Sequence, residues 1–415
     1  MSLQHTLIVG VGPAAIQTAV AVSKSWEGKV SIVNRKGSYS KKVKSQLEAS
    51  DHVITAIAPN RPTLSGKVKI THFYDELASV ENKFDSMILC VPSYSYDVVL
   101  EALRIEKLTR IQTIILVSPV VGSNELVREV VRKSPHNVEV ISLSNYFAAT
   151  KFVPDGDLVS FTKAVKKRIY LATNKEDSLH LKDMERLLEE AGIESVIKKN
   201  PIDVECRNIT TYVHPPFFIN SFSLNEIFSE KKSLKSLYKL YPEGPITQQT
   251  IRGMVKLWKE ISALVVELGG SPINLLQFLN DDNYPVHEET LSRADLDGFD
   301  EFEAVKQEYL LYIRYASILI DPFSQPDQNG AYFDFSKVPY QQISKTASGE
   351  WSVPRIPFED YMNLKHLQRL GVERGIDLPE IVRLIQLFER KVDEWQCLKD
   401  EPIRGMNRSE ERMIL

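Results

Sequence analysis

Along the first 150 residues the apolar positions fall in short, nearly unbroken runs. TLIVGVG (6–12), KVSIVNR (29–35), SMILCVP (86–92), TIILVSP (113–119) and VEVISLS (138–144) are rich in branched aliphatic residues. Runs of that length and kind predict strands buried on both faces. PAAIQTAVAVSKSW (13–26) and NELVREVVRKS (124–134) instead repeat their apolar residues at helical spacing. Strands alternating with helices predict a parallel sheet with right-handed crossovers. A β-rich piece at 166–173 and a helix at 178–192 complete this half. Past residue 200 helical periodicity takes over, at 247–269, 302–320 and 377–396, and the Pro-, Gly- and Asp-rich stretch 321–339 reads as loop.

The first strand runs into Gly10-Val11-Gly12-Pro13-Ala14-Ala15, a GxGxxA pattern that opens a helix. In a strand–turn–helix context this predicts dinucleotide binding. The first glycine makes the turn, the second lets the backbone approach a pyrophosphate, and the small Ala15 allows close packing of helix on sheet. Pro13 suits the first helical position, where its missing N–H is not needed. The expected fold class is therefore α/β, with an N-terminal Rossmann-type NADP-binding domain over 1–200. A mostly α-helical substrate and dimerisation domain follows over 201–415.

An NAD site usually places an acid roughly 20 residues past the glycines, on the ribose 2′-hydroxyl. Here the second strand ends in IVNRKGSYSKK, and Asn34, Arg35, Ser38 and Lys41 stand where the acid would be. A guanidinium with added donors suits a 2′-phosphate, so NADPH is expected, with NADH possible; a solvated basic turn is the alternative. Cys90, Val91 and Pro92, at the end of another strand, are expected to line the nicotinamide.

Composition removes several classes. The 415 residues are 43% hydrophobic and 26% charged, with a net charge of −4. That is ordinary for a folded soluble protein and offers no basic field for nucleic acid. Cys90, Cys206 and Cys397 lie far apart, without zinc or redox spacing. No segment reads as a bilayer span or a cleavable signal. The expectation is a cytoplasmic protein with small-molecule partners, no membrane, no nucleic acid and no metal site. Arg252 and Lys256, one turn apart, and the basic runs at 163–168 and 231–239 read as solvated surface, and the histidines other than His214 carry no assigned role.

His214 stands in ITTYVHPPFFINSF (209–222), among apolar and aromatic residues and ahead of two prolines. It is either a hydrogen-bonded core histidine or a general acid/base tuned by burial.

Together with VGVGPAAIQ, RKGSYSKK, VSPVVGSN and VISLSNYFAATK, the strings RNITTYVHPPFFINSFSLNEIF, YKLYPEGPIT, NLLQFLNDDNYPV, QEYLLYIRYASILIDPFSQPDQNGAYFDFSKVP and PFEDY resemble the opine dehydrogenases of bacterial metallophore biosynthesis. The resemblance covers most of the chain. It implies condensation of an amine bearing histidine and an aminobutyrate unit with an α-keto acid. The imine is then reduced to a secondary amine that chelates zinc, nickel or cobalt. It also implies a homodimer and an acid/base role for His214, with Asp321 as the expected orienting carboxylate. Asp321 could equally turn the chain at a helix end. Staphylopine-type members carry an aspartate where this chain has Ala149. An uncharged residue there removes a repulsion against the second carboxylate of α-ketoglutarate, so that acid is expected over pyruvate; plain packing is the other reading of Ala149. Tyr146, Arg207, Asn208 and Tyr212 are the remaining candidate substrate contacts. A simple 2-keto-acid reductase of the ketopantoate type and a non-catalytic NADP-sensing protein are the competing readings.

Overall fold

The computed structural model describes residues 5–134, 137–154, 156–237, 243–283, 285–319, 338–346 and 349–406. Two compact units divide between Asn208 and Ile209.

The first unit is α/β. Its strands are β1 (His5–Val9), β2 (Lys29–Val33), β3 (Val53–Ile57), β4 (Gly66–Lys69), β5 (Phe73–Tyr74), β6 (Ser86–Leu89), β7 (Thr113–Leu116), β8 (Glu139–Leu143), β9 (Ala148–Val153), β10 (Gly156–Val165), β11 (Arg168–Thr173) and β12 (Glu194–Ile197). Among the described residues the main sheet has eight strands in the order β12-β11-β8-β7-β6-β1-β2-β5. Its pairs are parallel except that β11 runs against β8. The chain order reverses direction on the two sides of β1, the switch point where ligands of open α/β sheets bind beyond the carboxyl ends of the strands.

The helices of this unit are α1 (Pro13–Ser25), α2 (Ser38–Ala49), α3 (Tyr96–Ala102), α4 (Ser123–Val131), α5 (Leu179–Glu190) and α6 (Pro201–Glu205). One core layer lies around α1 and α5, and the other under α3 and α4. A second sheet, β4-β3-β10-β9, lies against the opposite side of α1. That sandwich explains why α1 is buried nearly all round, from Ala15 to Val22. It also explains Gln17, a wholly buried amide that donates to the Leu64 carbonyl at 2.8 Å and accepts from Thr162 Oγ1 at 2.7 Å. The second sheet and α2 depart from the expectation of one sheet. Their segments are short or polar, and α2 buries only Ser40, Val43 and Leu47.

The second unit is mostly helical: α7 (Thr210–Phe218), α8 (Ser221–Ile227), α9 (Gln248–Glu267), α10 (Leu275–Asp281), α11 (Arg293–Asp297), α12 (Ala304–Leu319), α13 (Arg355–Arg374) and α14 (Pro379–Lys399), with a two-stranded ribbon, β13 (Ser344–Lys345) and β14 (Trp351–Ser352). Helix α9 is central and packs against α7, α12, α13 and α14. Both oxygens of Glu260 on α9 accept from the first amides of α14, Glu380 N at 2.6 Å and Ile381 N at 2.9 Å. A carboxylate there satisfies orphan donors and meets the positive end of the helix dipole. No helix among the described residues is long and apolar enough to cross a membrane.

Candidate active site

Gly10 sits at φ +106°, and a Cβ built on it would lie 2.8 Å from the Cys90 carbonyl oxygen. Its amide donates to Val33 O at 2.8 Å, while Cys90 N donates to Val9 O at 2.9 Å, so the turn is held between β2 and β6. Only glycine fits that position. Gly12 is different: a Cβ there would meet nothing within 4 Å. It caps α1 without a side-chain hydrogen bond, Pro13 follows, and the first turn holds no acid. Val11 is buried, Pro13 and Ala14 are partly exposed, and Ala15 is buried under the helix. The amides and dipole of α1 thus face open space, the arrangement that binds a phosphate.

At the end of β2, Asn34 Nδ2 donates to Ser40 Oγ at 2.7 Å and Ser40 Oγ donates to the Arg35 carbonyl at 2.6 Å. Asn34 therefore shapes the turn. Arg35, Ser38 and Lys41 are exposed around the start of α2, and among the described residues neither Arg35 nor Lys41 is in an ion pair. Lys36 is paired, with Glu76 at 3.3 Å.

Cys90, Val91 and Pro92 follow β6, with Pro92 leading into a short 3₁₀ turn. Burial pushes the Cys90 thiol up to about 12, so it is a packing group and not a nucleophile. Tyr146 and Cys90 pack against the same apolar cluster around α1. Burial also raises the Tyr146 phenol, which accepts from Thr150 Oγ1 at 3.3 Å. Ala149 is exposed on β9, paired with Ala164 of β10.

Beside these lies a polar network that sequence reading assigned only in part. Asn208 Nδ2 donates to the Pro119 carbonyl at 2.8 Å, and its Oδ1 accepts from Asn145 Nδ2 at 3.0 Å. Asn145 Oδ1 in turn accepts from Tyr146 N at 2.7 Å and from Ser118 Oγ at 3.3 Å. Arg207 donates to the Asp203 carbonyl and stacks on the Tyr170 ring at 4.9 Å, so its guanidinium is engaged within the first unit. Glu205 is completely buried and accepts from Gly122 N at 2.9 Å, Asn124 N at 2.7 Å and Ser142 Oγ at 3.0 Å. Burial pushes this carboxyl up to about 8 despite those bonds. Nothing in the local pattern PIDVEC marks it.

In the second unit, His214 lies within α7, which carries Pro215 and Pro216 in its interior. Two successive residues without N–H groups leave the helix ladder open beside it. Tyr212, two residues earlier, is buried in the core. The His214 ring is partly open to solvent, and its Nδ1 lies 3.6 Å from Asp360 Oδ1, on α13. Phe218 packs edge-on against the imidazole at 5.5 Å. Asp360 is buried, and its Oδ2 has no hydrogen-bond partner among the described residues. Burial raises the Asp360 carboxyl, while His214 pulls it back down. The neighbouring Glu359 is raised by burial too, and is drawn down by Arg355. Asp321 lies outside the described residues, and among the described residues Asp360 is the carboxylate that lies beside His214.

That pairing gives Asp360 a role that its charge can test. A buried carboxylate 3.6 Å from Nδ1 orients the ring so that Nε2 is left for the substrate. Asp360→Asn removes the charge and keeps the shape. The rate is expected to fall about 10- to 1,000-fold. Steady-state kinetics of both proteins check this, and an unchanged kcat would separate Asp360 from the proton-transfer step.

Residues 4–405 match the family model for staphylopine dehydrogenase. The chain belongs to the staphylopine dehydrogenase family. It is 40% identical to a pseudopaline synthase of Pseudomonas aeruginosa over 95% of this chain and 91% of that protein. It is 35% identical to a staphylopine synthase of Staphylococcus aureus, over 96% and 93% of the two chains. Among solved structures, a yersinopine dehydrogenase with NADP+ bound superposes with a TM-score of 0.90 at 30% identity, covering 100% of this chain and 97% of that one. The chain is therefore an opine dehydrogenase, and both units lie within the family match.

Proposed function

We propose that the enzyme uses NADPH to join an amine bearing histidine and an aminobutyrate unit to α-ketoglutarate, forming a metal-chelating opine. The observation that carries the catalytic reading is the His214 imidazole set against a buried, half-unpartnered Asp360 carboxylate. Bound NADPH would supply the hydride for the imine carbon. The glycine turn and the uncapped N-terminus of α1 would hold its pyrophosphate. Arg35, Ser38 and Lys41 would hold a 2′-phosphate, and Cys90, Val91 and Pro92 would flank the nicotinamide.

His214 does the proton work. In its neutral form Nε2 takes the proton from the substrate ammonium, freeing the amine to attack the keto carbon. As imidazolium, stabilised by Asp360, it returns that proton to the carbinolamine hydroxyl, which leaves as water. Groups used in this way contribute about 10²- to 10⁴-fold. Support for the acid/base reading over a simple keto-acid reductase lies in the His–Asp pair, which serves imine formation as well as reduction.

The choice of α-ketoglutarate rests on Ala149. Its side chain is exposed and uncharged and its register partner on β10 is Ala164, so this pair places no negative charge where a dicarboxylic keto acid would sit. Ala149→Asp should reverse the preference, lowering kcat/KM for α-ketoglutarate about 10- to 100-fold relative to pyruvate, since a carboxylate there would repel the second carboxylate of the keto acid. Parallel assays with both acids, with the product identified by mass, test the proposal. Pyruvate preferred by the wild type would remove Ala149 as the selector.

A further inference from the structure

The Ser118–Asn124 turn follows β7, the strand next to β6 in the sheet, and so lies along the carboxyl edge that carries Gly10 and Cys90. Its helix, α4, begins at Ser123 after Gly122, which sits at φ +87°. Such a helix start is ordinarily ready to take an anion, yet here the place is filled from within. Glu205 lays one carboxylate oxygen on the Gly122 amide and the other on the Asn124 amide and the Ser142 hydroxyl. Asn124 completes the clasp, its Nδ2 donating to Ser142 Oγ at 3.0 Å and to the Val140 carbonyl at 3.2 Å. Three residues after Glu205, Asn208 grips the Pro119 carbonyl of the same turn and the Asn145 side chain of the next.

We propose that Glu205 is a positioning residue for the dinucleotide side of the reaction: its carboxyl oxygens occupy the α4 N-terminus and fix the Ser118–Asn124 turn along the ligand-binding edge of the sheet. A wholly buried carboxylate carries a desolvation penalty that an apolar residue would avoid, and here it is met by two backbone amides and a hydroxyl. What it secures is the geometry of a turn, with two sequential asparagine contacts to the same loop. The alternative assignment, that α4 takes a phosphate or a substrate carboxylate directly, is excluded by the occupied amides of Gly122 and Asn124.

The proposal rests on the NADPH reading above, and its test separates the two. NADPH binding is followed by fluorescence titration, and turnover by absorbance, for the wild type and for Glu205→Gln. The amide keeps one acceptor oxygen but sets an NH₂ against one of the backbone donors, so the turn loses a bond and shifts. The expected result is a rise of about tenfold in Kd and KM for NADPH with kcat within about threefold, in a variant that melts several degrees lower and is fully folded at the assay temperature. A merely structural cap would lower the melting temperature and leave KM and Kd unchanged, and that outcome overturns the proposal. Should Glu205→Gln fail to fold, Ser142→Ala removes one of the three donors alone, and a two- to threefold rise in the same KM is expected. An unchanged KM in that variant would equally overturn it. A wild type that binds no NADPH would instead defeat the cofactor reading.

Discussion

Replacing His214 with asparagine is expected to lower kcat/KM for reductive condensation by about 10²- to 10⁴-fold, equivalent to about 3–5 kcal/mol of transition-state stabilisation. Asparagine retains a hydrogen-bonding side chain of similar reach but cannot exchange a proton near neutral pH. The loss should fall on kcat, because the imidazole acts on bonds being made and broken and not on ground-state binding. NADPH affinity should stay within about twofold, since the imidazole is assigned proton transfer and not a contact to the dinucleotide. The variant should fold, because His214 is partly open to solvent and its polar contact with the described residues is the 3.6 Å approach to Asp360. Asp360 would then be a buried carboxyl without its cation, and its pKa should rise further. A His214→Asn enzyme with wild-type kcat would return His214 to the status of a core histidine.

The second large effect belongs to the glycine turn, and it divides into two results. Gly10→Ala places a Cβ against the Cys90 carbonyl at 2.8 Å in a backbone conformation, φ +106°, that L residues rarely adopt. Left-handed strain of that kind costs on the order of 1–3 kcal/mol before the clash is counted. Relief requires the turn to move away from β6, breaking the bond from Gly10 to Val33 or that from Cys90 to Val9. The variant should lose several degrees of thermal stability and bind NADPH at least about tenfold more weakly. Gly12→Ala should behave otherwise. Its Cβ would enter empty space at an ordinary φ of −72°. Thermal stability without ligand should therefore be unchanged, while NADPH affinity falls by a similar factor because the methyl occupies the path of the pyrophosphate. Melting curves with and without NADPH separate these cases. Equal effects of both substitutions on the ligand-free protein would contradict the distinct roles given to the two glycines.

The sequence was most informative where a local pattern has one structural meaning. The GxGxxA turn, strands β2, β6, β7 and β8 and helix α9 lie within the segments whose periodicity predicts them, while β1 starts one residue before its segment and α14 runs three residues past its own. The second sheet was not legible because β3, β4 and β9 are only four to six residues long and bury few side chains, none of them on β4. Helix α2 was hidden by a polar first turn, SYSKK, and α7 by two interior prolines that argue against a helix. The partner of His214 was hidden for a different reason. Asp360 is brought to it by the packing of α13 on α7, which no spacing in the chain reports. Glu205 is the same kind of residue, significant only through amides more than eighty positions away.

The most direct measurement follows NADPH absorbance in a matrix of amine and keto acid, each offered alone and together. Oxidation is expected only when the histidine–aminobutyrate amine and α-ketoglutarate are both present, with one secondary amine formed per NADPH consumed. Oxidation at an equal rate with the keto acid alone would contradict it and make the enzyme a simple keto-acid reductase.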